Sequence, residues 1–90
     1  MIRERIAIRN PHGLHARPAA EFVKAATKFN SSVELARDDH QWVNGKSVLG
    51  ILTLAVEQGQ TLILKIDGKG DIAEEQQALA VLKTILEGNC

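Results

Sequence analysis

Residues 2–28 read IRERIAIRNPHGLHARPAAEFVKAATK, and within this stretch the spacing of the apolar residues changes once. In residues 2–8 apolar and polar side chains alternate, which is typical of a half-buried strand. Glu4 lies at an apolar position and favours a start nearer Arg5. Turn-forming residues follow, and helical spacing then covers Ala16 to Lys28. The stretch therefore predicts a strand that leads through a short turn into a helix.

The remainder of the chain repeats this change of spacing. It predicts a strand from Val33 to Arg37, a hairpin turn at residues 38–40, a strand starting at Trp42 and Val43, a helix capped by Ser47 that ends at Leu54 or Ala55, a strand over 62–66, and a last helix between Asp71 and Gly88 with a buried stripe of Leu79, Leu82, Ile85 and Leu86. The order is β-α-β-β-α-β-α. Such a chain forms a two-layer sandwich with helices on the apolar face of one sheet. We expect one domain over residues 1–90.

Composition excludes several classes of function. Eleven basic residues balance eleven acidic ones, and aromatic side chains make up 3% of the chain. Neither feature favours binding to nucleic acid or to an anionic membrane. No apolar run reaches the roughly 18 residues of a membrane span, so we expect no insertion. The single cysteine, Cys90, excludes an internal disulfide and is consistent with the cytoplasm.

His15 is the main candidate for chemistry because it precedes the first predicted helix. The first amides of a helix lack internal partners and, with the helix dipole, form an anion site. We expect an imidazole there to stay neutral and nucleophilic. The backbone amides of Ala16 and Arg17 would then receive phosphoryl oxygens, and the Arg17 guanidinium would supply a counter-charge. A histidine in this position is also common as a plain cap or surface residue, so spacing alone leaves both interpretations open.

A metal site is the weaker alternative. His12 and His15 lie in one predicted loop, but His40 belongs to a different turn and no third ligand is evident. We therefore expect no metal and no cofactor. The sequence assigns no role to His12 or to Cys90, which lies at the C-terminus, where most changes are tolerated.

Two segments resemble a known family. The segment GLHARPAA (residues 13–20) closely resembles the active-site motif of the histidine-containing phosphocarrier protein family, HPr, of the phosphoenolpyruvate-dependent sugar phosphotransferase system. The segment VNGKSVLG (residues 43–50) resembles the second motif of that family. The resemblance extends over nearly the whole chain and includes the order of its elements.

The resemblance implies a fold and a set of partners. The fold is an α+β open-faced sandwich, with a four-stranded antiparallel sheet covered on one face by three helices. His15 would be phosphorylated on Nδ1 by enzyme I and would pass the phosphoryl group to an enzyme IIA protein or domain. Arg17 matches the family arginine that helps to neutralise that group. The chain would be a carrier rather than an enzyme, and we expect a monomer.

Docking residues follow from the short second helix, which is apolar on almost every side. We expect Val48, Leu49 and Leu52 to join residues of the first helix in a surface beside His15, namely Ala16, Ala20 and Lys24. A wholly buried second helix is the alternative. The family resemblance supports the surface, because its partners dock on the first two helices.

Ser47 has two interpretations. It is suited to cap the second helix, and that role alone would explain it. In part of the HPr family the matching serine is phosphorylated by the HPr kinase/phosphorylase, which would add about two negative charges beside the docking residues.

The sequence leaves three functions open: a sugar-transport carrier, a nitrogen-type regulatory carrier and a non-catalytic binding module.

Overall fold

The computed structural model describes residues 1–9, 11, 13–38 and 41–88. This part of the chain forms seven elements: β1 (Ile2–Ala7), α1 (Ala16–Ala26), β2 (Ser32–Ala36), β3 (Trp42–Asn44), α2 (Val48–Thr53), β4 (Thr61–Asp67) and α3 (Ile72–Glu87). Their order is the predicted β-α-β-β-α-β-α. None of the helices formed by these residues has both the length and the apolar character that crossing a membrane requires.

The four strands form one antiparallel sheet in the order β1-β4-β2-β3. In the β1–β4 pair Ile2 lies opposite Ile66 and Ala7 lies opposite Thr61. The end of β1 therefore meets the start of β4. This topology brings the loop that precedes α1 next to the turn that precedes β4, which positions the site described below.

The helices cover one face of the sheet, and the core lies between the two layers. Every second strand residue points into this core, as the alternation in β1 predicts. Phe22 of α1, Ile51 of α2 and Leu82 of α3 are fully buried against Leu35 and Leu64 of the sheet. Each such side chain contributes about 1.5–3 kcal/mol by leaving water. The fold prediction is confirmed.

The other face of the sheet is open and polar. Trp42 lies on it between two cations, with Lys65 Nζ 4.2 Å and Arg3 Cζ 5.3 Å from the ring centroid. Lys65 also pairs with Glu34 at 3.2 Å. Cation–π contacts at exposed sites stabilise by about 0.5–1 kcal/mol each. They allow Trp42 to remain on an uncovered face.

The structure corrects the start of β1. The strand begins at Ile2 and not nearer Arg5. Glu4 is tolerated on the helix-facing side because its Oε2 lies 3.0 Å from Nζ of Lys83, which reaches over from α3. The hydrogen bond to Glu4 raises the pKa of Lys83. The ion pair thus supplies a partner for a charge that the alternation alone would exclude.

Helix boundaries also differ from the prediction. Helix α1 ends at Ala26 and not at Lys28, because the amides of Lys28 and Phe29 turn back to the carbonyls three residues earlier. Helix α2 ends at Thr53, with Leu54 as its C-cap. Helix α3 has the predicted caps: Asp71 accepts from the amide of Glu74, and Gly88 adopts the left-handed conformation with φ 72°. In its stripe Leu82 and Leu86 are buried, whereas Leu79 and Ile85 are only partly so.

Candidate phosphoryl-transfer site

The backbone before α1 is held in place by the turn before β4. Gly13 has a φ of +63°, and a Cβ built on it would lie 2.8 Å from the Val56 carbonyl oxygen and 2.9 Å from Cα of Glu57. The next amide, that of Leu14, donates to the same Val56 oxygen at 2.9 Å. Glycine allows both the positive φ and the close approach. The residue that follows Leu14 is therefore fixed in position.

His15 is that residue, and it is the N-cap of α1. Its backbone is extended, with φ −86° and ψ −167°, and its carbonyl accepts from the amide of Ala19 at 2.9 Å. Its side chain makes no capping hydrogen bond and is exposed to solvent. The imidazole therefore does not cap the helix and is accessible to another protein.

The first turn of α1 leaves two amides available. Pro18 has no N–H, and that of Ala19 is already bonded to His15. Among the described residues no acceptor is bonded to the amides of Ala16 and Arg17, and the first turn carries no acidic side chain. Free amides at a helix N-terminus attract anions. The amides of Ala16 and Arg17 are therefore available to an anion beside His15, and their contact with a phosphoryl group remains a prediction.

The imidazole borders a shallow recess of about 390 Å³, lined by Pro11, Gly13, His15, Glu57 and Gln58. Neither Glu57 nor Gln58 is predicted at the site from the sequence. The available signal is topological, because antiparallel pairing of β1 with β4 puts the two flanking loops together. The lining thus includes one acidic residue, Glu57, beside His15.

Arg17 does not line this recess. Its side chain is 92% exposed, and its Nε lies 4.0 Å from Oε1 of Glu21, one turn further along α1. Exposed pairs of this kind are worth about 0.3–0.5 kcal/mol. The guanidinium is therefore weakly held, and its role as a counter-charge remains a prediction.

The residues expected to form a docking surface lie on two helices that contact each other, α1 and α2. Ala16, Ala20 and Lys24 are exposed on α1. On α2 the side chain of Leu49 is 77% exposed, and Val48 and Leu52 pack partly against the core. Helix α2 is thus not wholly buried. We call these six residues the docking surface; their contact with a partner remains a prediction.

Ser47 caps α2, as predicted. Its Oγ accepts from the amide of Gly50 at 3.1 Å. The side chain is half-buried. Capping is therefore shown, and phosphorylation of this hydroxyl remains a prediction.

The described residues contain no group of three side chains suited to a metal. His12, His40 and Cys90, which the sequence analysis also considered, lie outside the described residues. A larger cleft of about 870 Å³ shares no lining residue with the recess at His15; its walls include Arg37, Trp42 and Thr53.

Comparison with known proteins identifies the family. The model of the PTS HPr component phosphorylation site matches residues 2–88. The chain belongs to the HPr family. This family includes the phosphocarrier protein HPr of the phosphotransferase system and the HPr-like protein Crh.

Members of the HPr family resemble the chain over almost its full length. The phosphocarrier protein HPr of Neisseria meningitidis is 36% identical over 88 residues, which is 98% of this chain and 93% of that protein. The crystal structure of HPr from Bacillus anthracis has a TM-score of 0.81 at 32% identity, and the match covers 94% of this chain and 95% of that one. The Bacillus subtilis catabolite repression protein Crh, a domain-swapped dimer, has a TM-score of 0.74 at 37% identity, covering 100% and 98%.

Proposed function

We infer that the chain accepts a phosphoryl group from phosphorylated enzyme I on His15 and donates it to an enzyme IIA protein or domain. One observation carries this proposal: an exposed imidazole with no capping bond lies at a helix N-terminus whose first amides are available. Membership of the HPr family supports it. The cytoplasm is the proposed location, because enzyme I is expected there.

Phosphoryl transfer in this scheme uses the imidazole of His15, the first amides of α1 and the Arg17 guanidinium. A neutral imidazole nitrogen, Nδ1 by resemblance to the family, attacks the phosphorus of the donor phosphohistidine. The new N–P bond forms as the donor N–P bond breaks, and the electron pair of the broken bond returns to the donor nitrogen. The amides of Ala16 and Arg17 stabilise the oxygens that arrive. The Arg17 guanidinium can leave Glu21 and approach them, because that contact is weak.

Transfer in the opposite sense uses the same groups. The N–P bond to His15 breaks as the enzyme IIA histidine attacks, and the chain returns to its starting state. It is therefore a carrier that is consumed and regenerated and not an enzyme with a substrate of its own. No cofactor takes part in this scheme.

The docking surface supplies the partner contact in this proposal. Leu49 protrudes beside α1, and the small side chains of Ala16 and Ala20 leave the approach to His15 open. Exposed apolar side chains next to a reactive group are typical of a transient protein interface. A monomer would present this surface to one partner at a time.

The likeness to Crh favours a second candidate, a regulatory role in which Ser47 is phosphorylated by the HPr kinase/phosphorylase. Crh is 37% identical to this chain, about as similar as the carriers. A phosphoryl group on Ser47 would lie at the start of α2, one residue from the docking surface. A nitrogen-type carrier would use His15 identically and differ only in its partners.

A single labelling experiment tests the carrier proposal. The protein is incubated with enzyme I and phosphoenolpyruvate labelled in its phosphoryl group, alongside a His15→Ala variant. We expect an acid-labile label on the wild type, none on the variant, and loss of the label when enzyme IIA is added. A label that persists in His15→Ala would refute the assignment. A parallel incubation with ATP and the HPr kinase/phosphorylase tests Ser47, with Ser47→Ala as control.

A further inference from the structure

We propose that the carboxylate of Glu57 destabilises the phosphoryl group on His15 and makes this chain a stronger phosphoryl donor than it would be without that charge. Glu57 is thus a tuning residue for transfer and does not form a bond with the phosphoryl group. The inference rests on the proposed function, because it requires a phosphoryl group at His15.

Position is the first argument. Glu57 and His15 line the same recess, which at about 390 Å³ is large enough for a phosphoryl group. The backbone around Glu57 is held in place: the Val56 carbonyl accepts from Leu14, and the Glu57 amide donates to Oε1 of Gln60 at 2.8 Å. The backbone of Glu57 is therefore fixed at the wall of the recess that His15 also lines, and its exposed side chain starts from that wall.

Charge is the second argument. No hydrogen bond or ion pair joins the Glu57 carboxylate to any other described residue, and the side chain is exposed. Arg17, the nearest candidate for compensation on α1, contacts Glu21. A phosphoryl group on His15 would carry up to two negative charges at neutral pH. Glu57 therefore adds a like charge that is paired with no other described residue, and in the proposed transfer the Arg17 guanidinium turns to the phosphoryl oxygens and not to Glu57.

Two opposing effects act on the phosphorylated state of His15. The amides of Ala16 and Arg17 favour the phosphorylated form, and Glu57 disfavours it relative to the free imidazole. In water, two like unit charges about 4 Å apart repel by about 1 kcal/mol, and a repulsion of that size would change such an equilibrium by about fivefold. Because the effect is electrostatic and near the surface, salt should weaken it.

A competition for phosphoryl groups measures this effect directly. Wild-type protein and an isotope-labelled Glu57→Gln variant are mixed in equal amounts with catalytic enzyme I and a limiting quantity of phosphoenolpyruvate. Enzyme I exchanges the phosphoryl group between them until equilibrium, and intact-mass spectra give the phosphorylated fraction of each. We expect about fivefold enrichment on Glu57→Gln at low ionic strength, falling towards equality in about 0.5 M salt.

Two further variants separate charge from structure. Glu87→Gln removes a carboxylate at the end of α3, outside the recess, and should share the phosphoryl group equally with the wild type. Gln58→Glu adds a carboxylate to the recess and should shift the group towards the wild type. Unfolding by urea should be unchanged in Glu57→Gln, since its side chain has no described partner.

The outcomes distinguish failure of the Glu57 inference from failure of the proposed carrier function. Equal partition between wild type and Glu57→Gln at low salt would overturn the inference while leaving the carrier function intact. A bias that salt does not reduce would overturn it as well, because it would indicate a rearranged loop. Failure of enzyme I to phosphorylate His15 in the wild type would instead refute the proposed function, and the role of Glu57 with it.

Discussion

Gly13 shows how one residue fixes the geometry of the site. Its positive φ turns the chain from β1 towards α1, and its bare Cα lets the Val56 carbonyl come close. Both features act on the same recess, since Gly13 and Glu57 line it. Any side chain at this position would separate the two loops that meet there.

The first prediction therefore concerns Gly13→Ala. The added methyl group meets backbone atoms at 2.8 and 2.9 Å and also imposes an unfavourable φ. We expect a loss of roughly 2–4 kcal/mol in the free energy of unfolding, measured with urea, and slower phosphorylation of His15. Gly59→Ala is the matched control. Gly59 has a φ of +90° but nothing within 4 Å of its added Cβ, so about 1 kcal/mol should be lost. Equal losses in both variants would contradict the argument.

The residues of the site differ in how far sequence could predict them. His15 and the first amides of α1 follow from local spacing, because a helix start is a local event. Glu57 and Gln58 do not, since they reach the recess only through the pairing of β1 with β4. The orientation of Arg17 could not be predicted either, because an exposed guanidinium can pair with Glu21 in its own helix or with a charge at the site.

At the scale of elements, the hydroxyl of Ser47 has two candidate roles: it caps α2, and it is the proposed site of regulatory phosphorylation. Ser47→Ala removes the acceptor of the Gly50 amide, so about 1 kcal/mol of the free energy of unfolding should be lost, while transfer through His15 continues. Ser47→Asp keeps a capping oxygen and adds a charge, so stability should hold and transfer from enzyme I should slow. Urea unfolding and labelling rates on both variants make the check. An alanine variant as stable as the wild type would exclude the capping role. An aspartate variant with normal transfer would exclude the regulatory role.

The exposed face of α2 is tested by Leu49→Glu. The side chain is 77% exposed, so the change should leave the unfolding free energy within about 0.5 kcal/mol. If partners dock there, burying the new carboxylate should slow transfer about tenfold or more. Val81→Glu on α3, where the side chain is 44% exposed, provides the control and should transfer at the normal rate. Normal kinetics in Leu49→Glu would exclude the docking surface.

Element type was more predictable than element ends. Alternation in β1 and β4 predicts which face of the sheet is buried, and in the predicted stripe of α3 Leu82 and Leu86 are buried while Leu79 and Ile85 are partly so. The ends depend on contacts from elsewhere: β1 extends back to Ile2 because Lys83 supplies a partner for Glu4. A pattern confined to one segment contains no information about such a partner.

For the whole molecule, the first turn of α3 joins loops that are distant in sequence. The Glu74 carboxylate accepts from the Ser31 amide at 2.7 Å and from its hydroxyl at 2.5 Å. The Glu75 carboxylate, nearly buried, accepts from the Gly68 amide at 2.7 Å. These bonds fasten the loops before β2 and after β4 to one helix. Both residues lie in the first turn of α3, where the helix dipole favours acidic side chains, and both also have tertiary partners.

The last prediction is acid sensitivity that arises from this junction. The Ser31 hydroxyl lowers the pKa of Glu74, and the Gly68 amide lowers the pKa of Glu75. A carboxyl with a lowered pKa in the folded state stabilises the fold above its unfolded pKa of about 4.3, and this contribution is lost as the pH falls through the folded value. The free energy of unfolding, measured with urea from pH 7 to 3, should therefore decline below about pH 4.5.

Replacing both carboxyls tests whether this junction causes the decline. The double variant Glu74→Gln with Glu75→Gln should start from lower stability at pH 7 and lose less of it on acidification, because fewer groups take up protons on unfolding. Glu57→Gln is the matched control: its carboxylate lacks a described partner, so the wild-type slope should persist. A double variant whose stability falls as steeply as that of the wild type would show that this junction does not cause the decline.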